Sequence, residues 1–255
     1  MRTPLKSLLL VAAASLALLF ASPSMGQELS TFLTDLPPEG AWARYRVETV
    51  KPDQVKKEPF DLAITGKETV GGQSFVWLEA GPTNFAGYRD GYLRILIKGK
   101  PSPDEARNPF LSAVALAYQE PGGDPFELSD GAMGFLHNQA SDVKITQTEE
   151  DLPPGAAASI KGETFACTRR RITTTTETSF MTRKIKVVET GDYWFSPKTP
   201  FRIVKAEIDR VEYRGDKEKR KHITLTLKEA SETGAQTHFT KPVKEKKGLL
   251  GILFH

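Results

Sequence analysis

Cysteine is almost missing: the 255 residues include one, Cys167. A single thiol cannot form an internal disulfide, so the fold rests on its core, even in an oxidising compartment. The segment Glu163-Thr-Phe-Ala-Cys-Thr alternates, which puts Phe165 and Cys167 on one face and reads Cys167 as a small buried hydrophobe. The motifs of common chemistries are also missing. There is no Gly-x-Ser-x-Gly, no His-Glu-x-x-His, no cysteine pair, no calcium loop and no glycine-rich phosphate loop. Histidine is scarce, and His137, His222, His238 and His255 all lie outside nucleophile motifs, so a Ser–His–acid triad has no support. Asp124, Glu127 and Asp130 are spaced at three, which reads as charge at a helix N-terminus or a casual cation site. Glu149-Glu150-Asp151 precedes Pro153-Pro154 and reads as a solvated loop. Paired carboxylates for glycoside chemistry need only proximity in space, so sequence alone leaves them open. The resulting expectation is a protein that is not an enzyme, with no metal and no cofactor.

No apolar run reaches the roughly 20 residues of a membrane-spanning helix. The longest, Leu8 to Phe20, is broken only by Ser15 and follows Arg2 and Lys6. Small residues then flank Met25 in Ser24-Met25-Gly26. This is the three-part export signal, read as residues 1–26 with cleavage after Gly26, or alternatively after Ala21. No cysteine follows the apolar run, so no lipid anchor is expected there.

Residues 27–160 hold 12 Lys/Arg against 20 Asp/Glu, and residues 161–255 hold 21 against 12. The asymmetry fits either two halves that attract each other or a basic surface for an anionic partner. Arg169, Arg170, Arg171, Arg183, Lys184 and Lys186 form a basic ribbon over two adjacent strands. An export signal argues against nucleic acid as its partner, leaving an anionic headgroup, a cell-surface polymer or plain solvent.

Glu28 to Leu36 has helical spacing, and Pro37-Pro38-Glu39-Gly40 ends it. The period then becomes two. Ala43, Tyr45 and Val47 share a face, as do Phe60, Leu62 and Ile64, and again Leu93, Ile95 and Ile97, with a further strand at Ser74–Ala80 after the turn Gly71-Gly72. Asn108-Pro109 predicts the start of an alanine-rich helix over Phe110–Tyr118. Ser129-Asp130 predicts a second through Met133, Phe135 and Leu136. Strands resume at Asp142–Thr148, Glu163–Thr176, Thr182–Glu189, Asp192–Phe195, Phe201–Arg214 and His222–Glu229. The fold class is therefore mainly β (α+β): a curved antiparallel sheet or incomplete β-barrel of about 9–11 strands, with two short helices on its concave face. One domain spans 27–240. Residues 241–255 form a basic and apolar tail, which either touches a membrane through its lysines and Leu249, Leu250, Ile252, Leu253 and Phe254, or folds onto the core.

Glu39-Gly-Ala-Trp-Ala-Arg-Tyr, Ile64-Thr-Gly-Lys-Glu-Thr-Val-Gly-Gly-Gln-Ser-Phe-Val-Trp-Leu-Glu, Lys161-Gly-Glu-Thr-Phe-Ala-Cys-Thr and Asp192-Tyr-Trp-Phe-Ser-Pro-Lys-Thr-Pro-Phe-Arg-Ile-Val-Lys resemble exported bacterial proteins with the architecture of the LolA/LolB lipoprotein-carrier superfamily. The resemblance spans most of residues 39–228. It implies an unclosed barrel lidded by helices that carries a lipid or lipoprotein acyl chain, in the periplasm or secreted. The missing N-terminal lipobox cysteine departs from the LolB side, and the basic, greasy tail lies outside the pattern. The residues expected to line the cavity are Trp42, Trp77, Phe110, Val114, Met133, Phe135 and Trp194. The alternative function is an envelope interaction protein that attaches through its basic face or tail.

Overall fold

The computed structural model describes residues 32–33, 35–85, 87–153, 158–160, 162–180, 183–248 and 251–252. The predicted export signal, and the predicted helix Glu28–Leu36 apart from Phe32, Leu33, Asp35 and Leu36, lie outside them.

One open, curved sheet of 12 strands dominates. Strands β1 (Trp42–Lys51), β2 (Gln54–Val70), β3 (Gln73–Phe85) and β4 (Tyr88–Lys98) run as an antiparallel meander. It continues through β5 (Ala115–Gln119) and β6 (Phe126–Leu128). A second series comprises β7 (Lys144–Leu152), β10 (Thr168–Phe180), β11 (Arg183–Phe195), β12 (Ile203–Arg214) and β13 (Lys217–Ser231). Strands β8 (Ala158–Ile160) and β9 (Glu163–Phe165) make a separate hairpin. The order β14-β6-β5-β4-β3-β2-β1-β13-β12-β11-β10-β7, with β14 at Glu245–Lys247, divides the sheet into two wings that meet where β1 pairs with β13. The first wing holds β1–β6 and β14, the second β7 and β10–β13.

Two helices lie between the strands: α1 (Pro103–Arg107) and α2 (Asp130–Ser141), with a 3-10 turn at Pro109–Leu111. Ser102 and Glu105 cap α1 reciprocally, each side chain accepting from the other's backbone N–H. Ser129 caps α2 by accepting from the Ala132 N–H.

The predicted helix over Phe110–Tyr118 is corrected. Its first residues form the 3-10 turn, and Ala115–Gln119 is a strand. Leu116 and Tyr118 face the core opposite Ile95 and Leu93, while Ala117 faces the other side, so the alanine run carries a period of two. The predicted pair of strands at Thr182–Glu189 and Asp192–Phe195 is a single strand, β11. The sheet itself has 12 strands rather than 9–11.

One apolar cluster fills the concave side. Ala43, Tyr45, Leu62, Ile64, Leu78, Ile95, Leu116, Ile203, Ile208 and Ile223 belong to it, joined by Ala132, Met133 and Leu136 of α2. Phe32 and Leu33 enter the same cluster, and so does Ile252 near the C-terminal end. The Tyr45 hydroxyl donates to the carbonyl of Ile203 (3.1 Å), tying the two wings together, and full burial pushes its phenol well above the ordinary tyrosine range. Two glycines permit close packing along the strands. A Cβ on Gly91 would lie 2.4 Å from the Gln119 carbonyl oxygen, and one on Gly191 would lie 2.9 Å from Ile208 Cγ1.

Candidate functional site

The concave hollow is largely filled among the described residues. A residual space of about 10 Å³ remains between Phe32, Val47, Phe60, Tyr193, Ile208, Ile223 and Leu225. The Phe32 ring packs beside it, with its centroid 5.4 Å from that of Tyr45 and 6.5 Å from those of Phe60 and Phe201. The cover over this part of the sheet thus includes a side chain from the N-terminal segment.

Larger openings flank the hollow. At the far ends of β2, β3 and β4, a cleft of about 720 Å³ lies under the turn that leads into α1. Leu36, Val76 and Pro101 give it apolar walls, and Lys67, Lys98, Lys100 and Glu105 give it charge. Val76 is also part of the core cluster and Leu36 packs against it, so the floor of the cleft is the core itself. Lys98 reaches Glu105 at 2.5 Å. That ammonium, then the Ser102 N–H, hold the Glu105 carboxyl below the usual carboxylate range. A smaller opening of about 200 Å³ lies in the second wing, between Phe32, Phe195, Phe201, Arg170 and Arg202.

The predicted lining residues do not meet in one place. Met133 belongs to the core cluster and Phe110 packs against it. Phe135 is half-buried, and Val114 is exposed in the loop before β5. The placement of the three tryptophans on the concave face is corrected. Alternation puts them on the convex side, because Ala43, Leu78 and Tyr193, their sequence neighbours, occupy the concave one. Trp77 donates to Glu68 and lies beneath the guanidinium of Arg94 (4.4 Å). Trp194 is flanked by Arg169 at 5.0 Å and Lys205 at 4.8 Å.

Sequence reasoning missed a strap on the convex side of the first wing. After β13 the chain returns across β3 and β4. There Glu79, buried to 1% exposure, accepts from the hydroxyls of Thr65 and Thr237 and from the His238 N–H, with Arg94 at 3.5 Å. The His238 ring stacks on Tyr92 at 3.6 Å, and Phe239 is buried. The strap then joins the sheet edge as β14, parallel to β6. A signal existed: Phe75-Val-Trp-Leu has no polar alternate, as expected for a strand covered on both faces.

The charged groups named from sequence mostly face one another. Asp192 binds Arg169 (2.5 Å) and Arg171 (2.8 Å). The Arg171 hydrogen bond chiefly, then that of Arg169, depresses its pKa against the opposing effect of desolvation. Arg170 binds Glu149 and Asp151, which lie on edge strand β7 and not in a loop. Lys186 pairs with Glu177, Lys184 is exposed, and the Arg183 side chain is outside the described residues. Tail lysines meet the acidic trio: Lys241 contacts Asp124 at 2.6 Å, and Lys246 contacts Glu127 at 3.4 Å and Asp130 at 3.9 Å. Asp124 precedes β6 and Glu127 lies within it, so the trio shares no helical face. Lys247 donates to the Tyr88 hydroxyl and sits over the Phe126 ring at 4.5 Å. Leu249, Leu250, Leu253, Phe254 and His255 lie outside the described residues. No group of three or more His, Cys, Asp or Glu among the described residues could hold a metal ion, and none of their helices is long and apolar enough to cross a membrane.

No protein-family model matches the chain, and no curated protein matches it. Solved structures do. An exported protein with a YmcC-like fold from Bacteroides fragilis is 15% identical, covering 77% of this chain and 99% of its own, at a TM-score of 0.36. A lipoprotein from Parabacteroides distasonis is 12% identical over 78% and 98%, at 0.31. A LolA superfamily protein from Nitrosomonas europaea is 13% identical over 82% and 92%, at 0.23. All three TM-scores lie below 0.5, so the likeness assigns no superfamily. At these identities and scores nothing about ligand or activity follows from it.

Proposed function

We propose that this is an exported, non-enzymatic protein that binds or carries a lipid or another apolar ligand on the open side of its half-barrel. One observation carries the reading: the cleft of about 720 Å³ is floored by Leu36 and Val76, residues that also belong to or pack against the core. An apolar chain entering there would extend an existing apolar surface, and pockets of this size commonly hold small ligands. Phe32 is the side chain best placed to yield space, because it packs into the core cluster from a segment outside the sheet. The charges of the basic ribbon and of the tail are largely met by the protein's own carboxylates, which favours this reading over attachment to the envelope through those faces.

The test is native mass spectrometry and solvent extraction of the full chain, expressed with its own export signal and purified without detergent. A co-purifying lipid, displaced in a Val76→Glu variant that remains folded, is the expected result. A ligand-free protein that takes up no long-chain fatty acid in titration would overturn the reading.

A further inference from the structure

We infer that the cleft at the ends of β2–β4 selects an amphiphile with an anionic head, such as an alkyl phosphate. This rests on the apolar-ligand reading above and adds the chemistry of the head. Three lysines line the cleft, Lys67, Lys98 and Lys100, against one carboxylate, Glu105. Glu105 is already committed. Lys98 holds it at 2.5 Å, and its second oxygen accepts from the Ser102 N–H at 2.8 Å. Among the described residues, Lys67 and Lys100 have no ion-pair partner and are exposed to the cleft's solvent. The unbalanced charge here is therefore two ammonium groups. In the basic ribbon and the tail, by contrast, Arg169, Arg170, Arg171, Lys241 and Lys246 each have a carboxylate within 4 Å.

The position of the two lysines gives the charge its meaning. Lys67 is the register partner of Val76, so its stem leaves the strand beside a residue of the apolar floor. Lys100 lines the same cleft from the segment Gly99–Ser102 that follows β4. Leu36, Pro37, Pro38 and Pro101 supply apolar wall to the same cleft. An anion at the lysines would lie at the rim, and an alkyl chain attached to it would run over Leu36 and Val76 toward the core. Lysine suits a rim of this kind, because its methylene stem can lie on apolar surface while its ammonium stays in water. Ser74 and Ser102 add hydroxyl donors for head-group oxygens.

The experiment compares dodecyl phosphate with dodecylphosphocholine, each below its micelle concentration, by calorimetric titration of the full chain. Dodecyl phosphate is expected to bind about tenfold more tightly at low salt, as two charges near the rim would give. The preference should shrink as sodium chloride rises, and should vanish in the Lys67→Gln/Lys100→Gln protein, leaving the weaker, choline-headed probe unaffected. A ratio between two probes on one sample is insensitive to any loss of folded protein. Equal binding of both probes, unchanged by the double substitution, overturns the anionic head but leaves the apolar-ligand reading standing. Inorganic phosphate binding as tightly as dodecyl phosphate overturns the amphiphile. Binding of neither alkyl probe overturns both this inference and the reading it rests on.

Discussion

The two wings bury the same kind of strand in different ways. In the first wing, the central parts of β3 and β4 are covered on both faces. Val76, Leu78, Ile95 and Ile97 face the core, while Phe75, Glu79 and Leu96 are buried on the convex side, where the strap crosses β3 and β4. In the second wing, β12 is dry on one face only: Val204, Ala206 and Ile208 are buried, whereas Lys205, Glu207 and Asp209 lie in reach of solvent. A returning segment replaces water as the partner of the convex side, and residue choice follows. Where the strap lies, a carboxylate can be buried because backbone and hydroxyl donors satisfy it. Where it does not, carboxylates pair with arginines, Asp192 with Arg171 near the surface and the buried Glu189 directly with Arg210 at 2.7 Å.

Truncating the doubly covered core should have the largest effect. Ile95→Ala removes a side chain 1% exposed and should cost about 4 kcal/mol, read by urea unfolding; a cost below that of ordinary surface changes would mean the first wing is loosely packed. Glu79→Ala is next, at about 3 kcal/mol, since it leaves Arg94 without its carboxylate and the strap's donors unpaired. Limited proteolysis should then cut within 232–244, and an uncut, fully stable variant would show that the strap is held by other contacts. The same substitution in both wings sharpens the contrast. Trp77→Ala should cost about 2 kcal/mol and Trp194→Ala less than about 1 kcal/mol, because only the first lies beside the strap; equal costs would erase the distinction.

The smallest effect is that of Asp192→Asn, about 0.5 kcal/mol at neutral pH, as expected for a pair whose arginines are partly exposed. Its pH dependence is the useful part. Arg171 and Arg169 lower the folded pKa of Asp192 below its unfolded value. The stabilisation is therefore complete above the ordinary carboxylate pKa and is lost as pH falls through the lower, folded one. Melting curves from pH 6 down to pH 2 should show the native protein and the variant converging at the acid end; a constant gap would assign the effect to packing.

These contrasts also explain what could be read from sequence. Strands in the singly covered wing show themselves by alternation, as in Val204, Ala206 and Ile208 against Lys205, Glu207 and Asp209. The same rule, applied strictly, places Trp42, Trp77 and Trp194 on the convex side. Treating large aromatics as cavity lining overrode it, although cations give a tryptophan good company outside the core. Ala115–Gln119 misled because alanine favours a helix, while Leu116 and Tyr118 were each packing on a sheet; tertiary burial outweighed propensity. The strap was hidden because its anchor is a buried glutamate, whose partners lie about 160 positions further along the chain. The cleft was hidden for a related reason: Lys67 and Lys100 are unremarkable until β2 and the turn after β4 are brought together.

The seam between β1 and β13 sets an order of events. Trp42 pairs with Ser231 and Val50 with His222, whereas each wing is built mostly from strands adjacent in the chain. Each wing can collapse from neighbouring hairpins, but the middle of the sheet waits until residues past 217 are present, and the strap and Ile252 come later still. Closing so long a loop is slow. This delay keeps the completed sheet from forming before the last strands have been made.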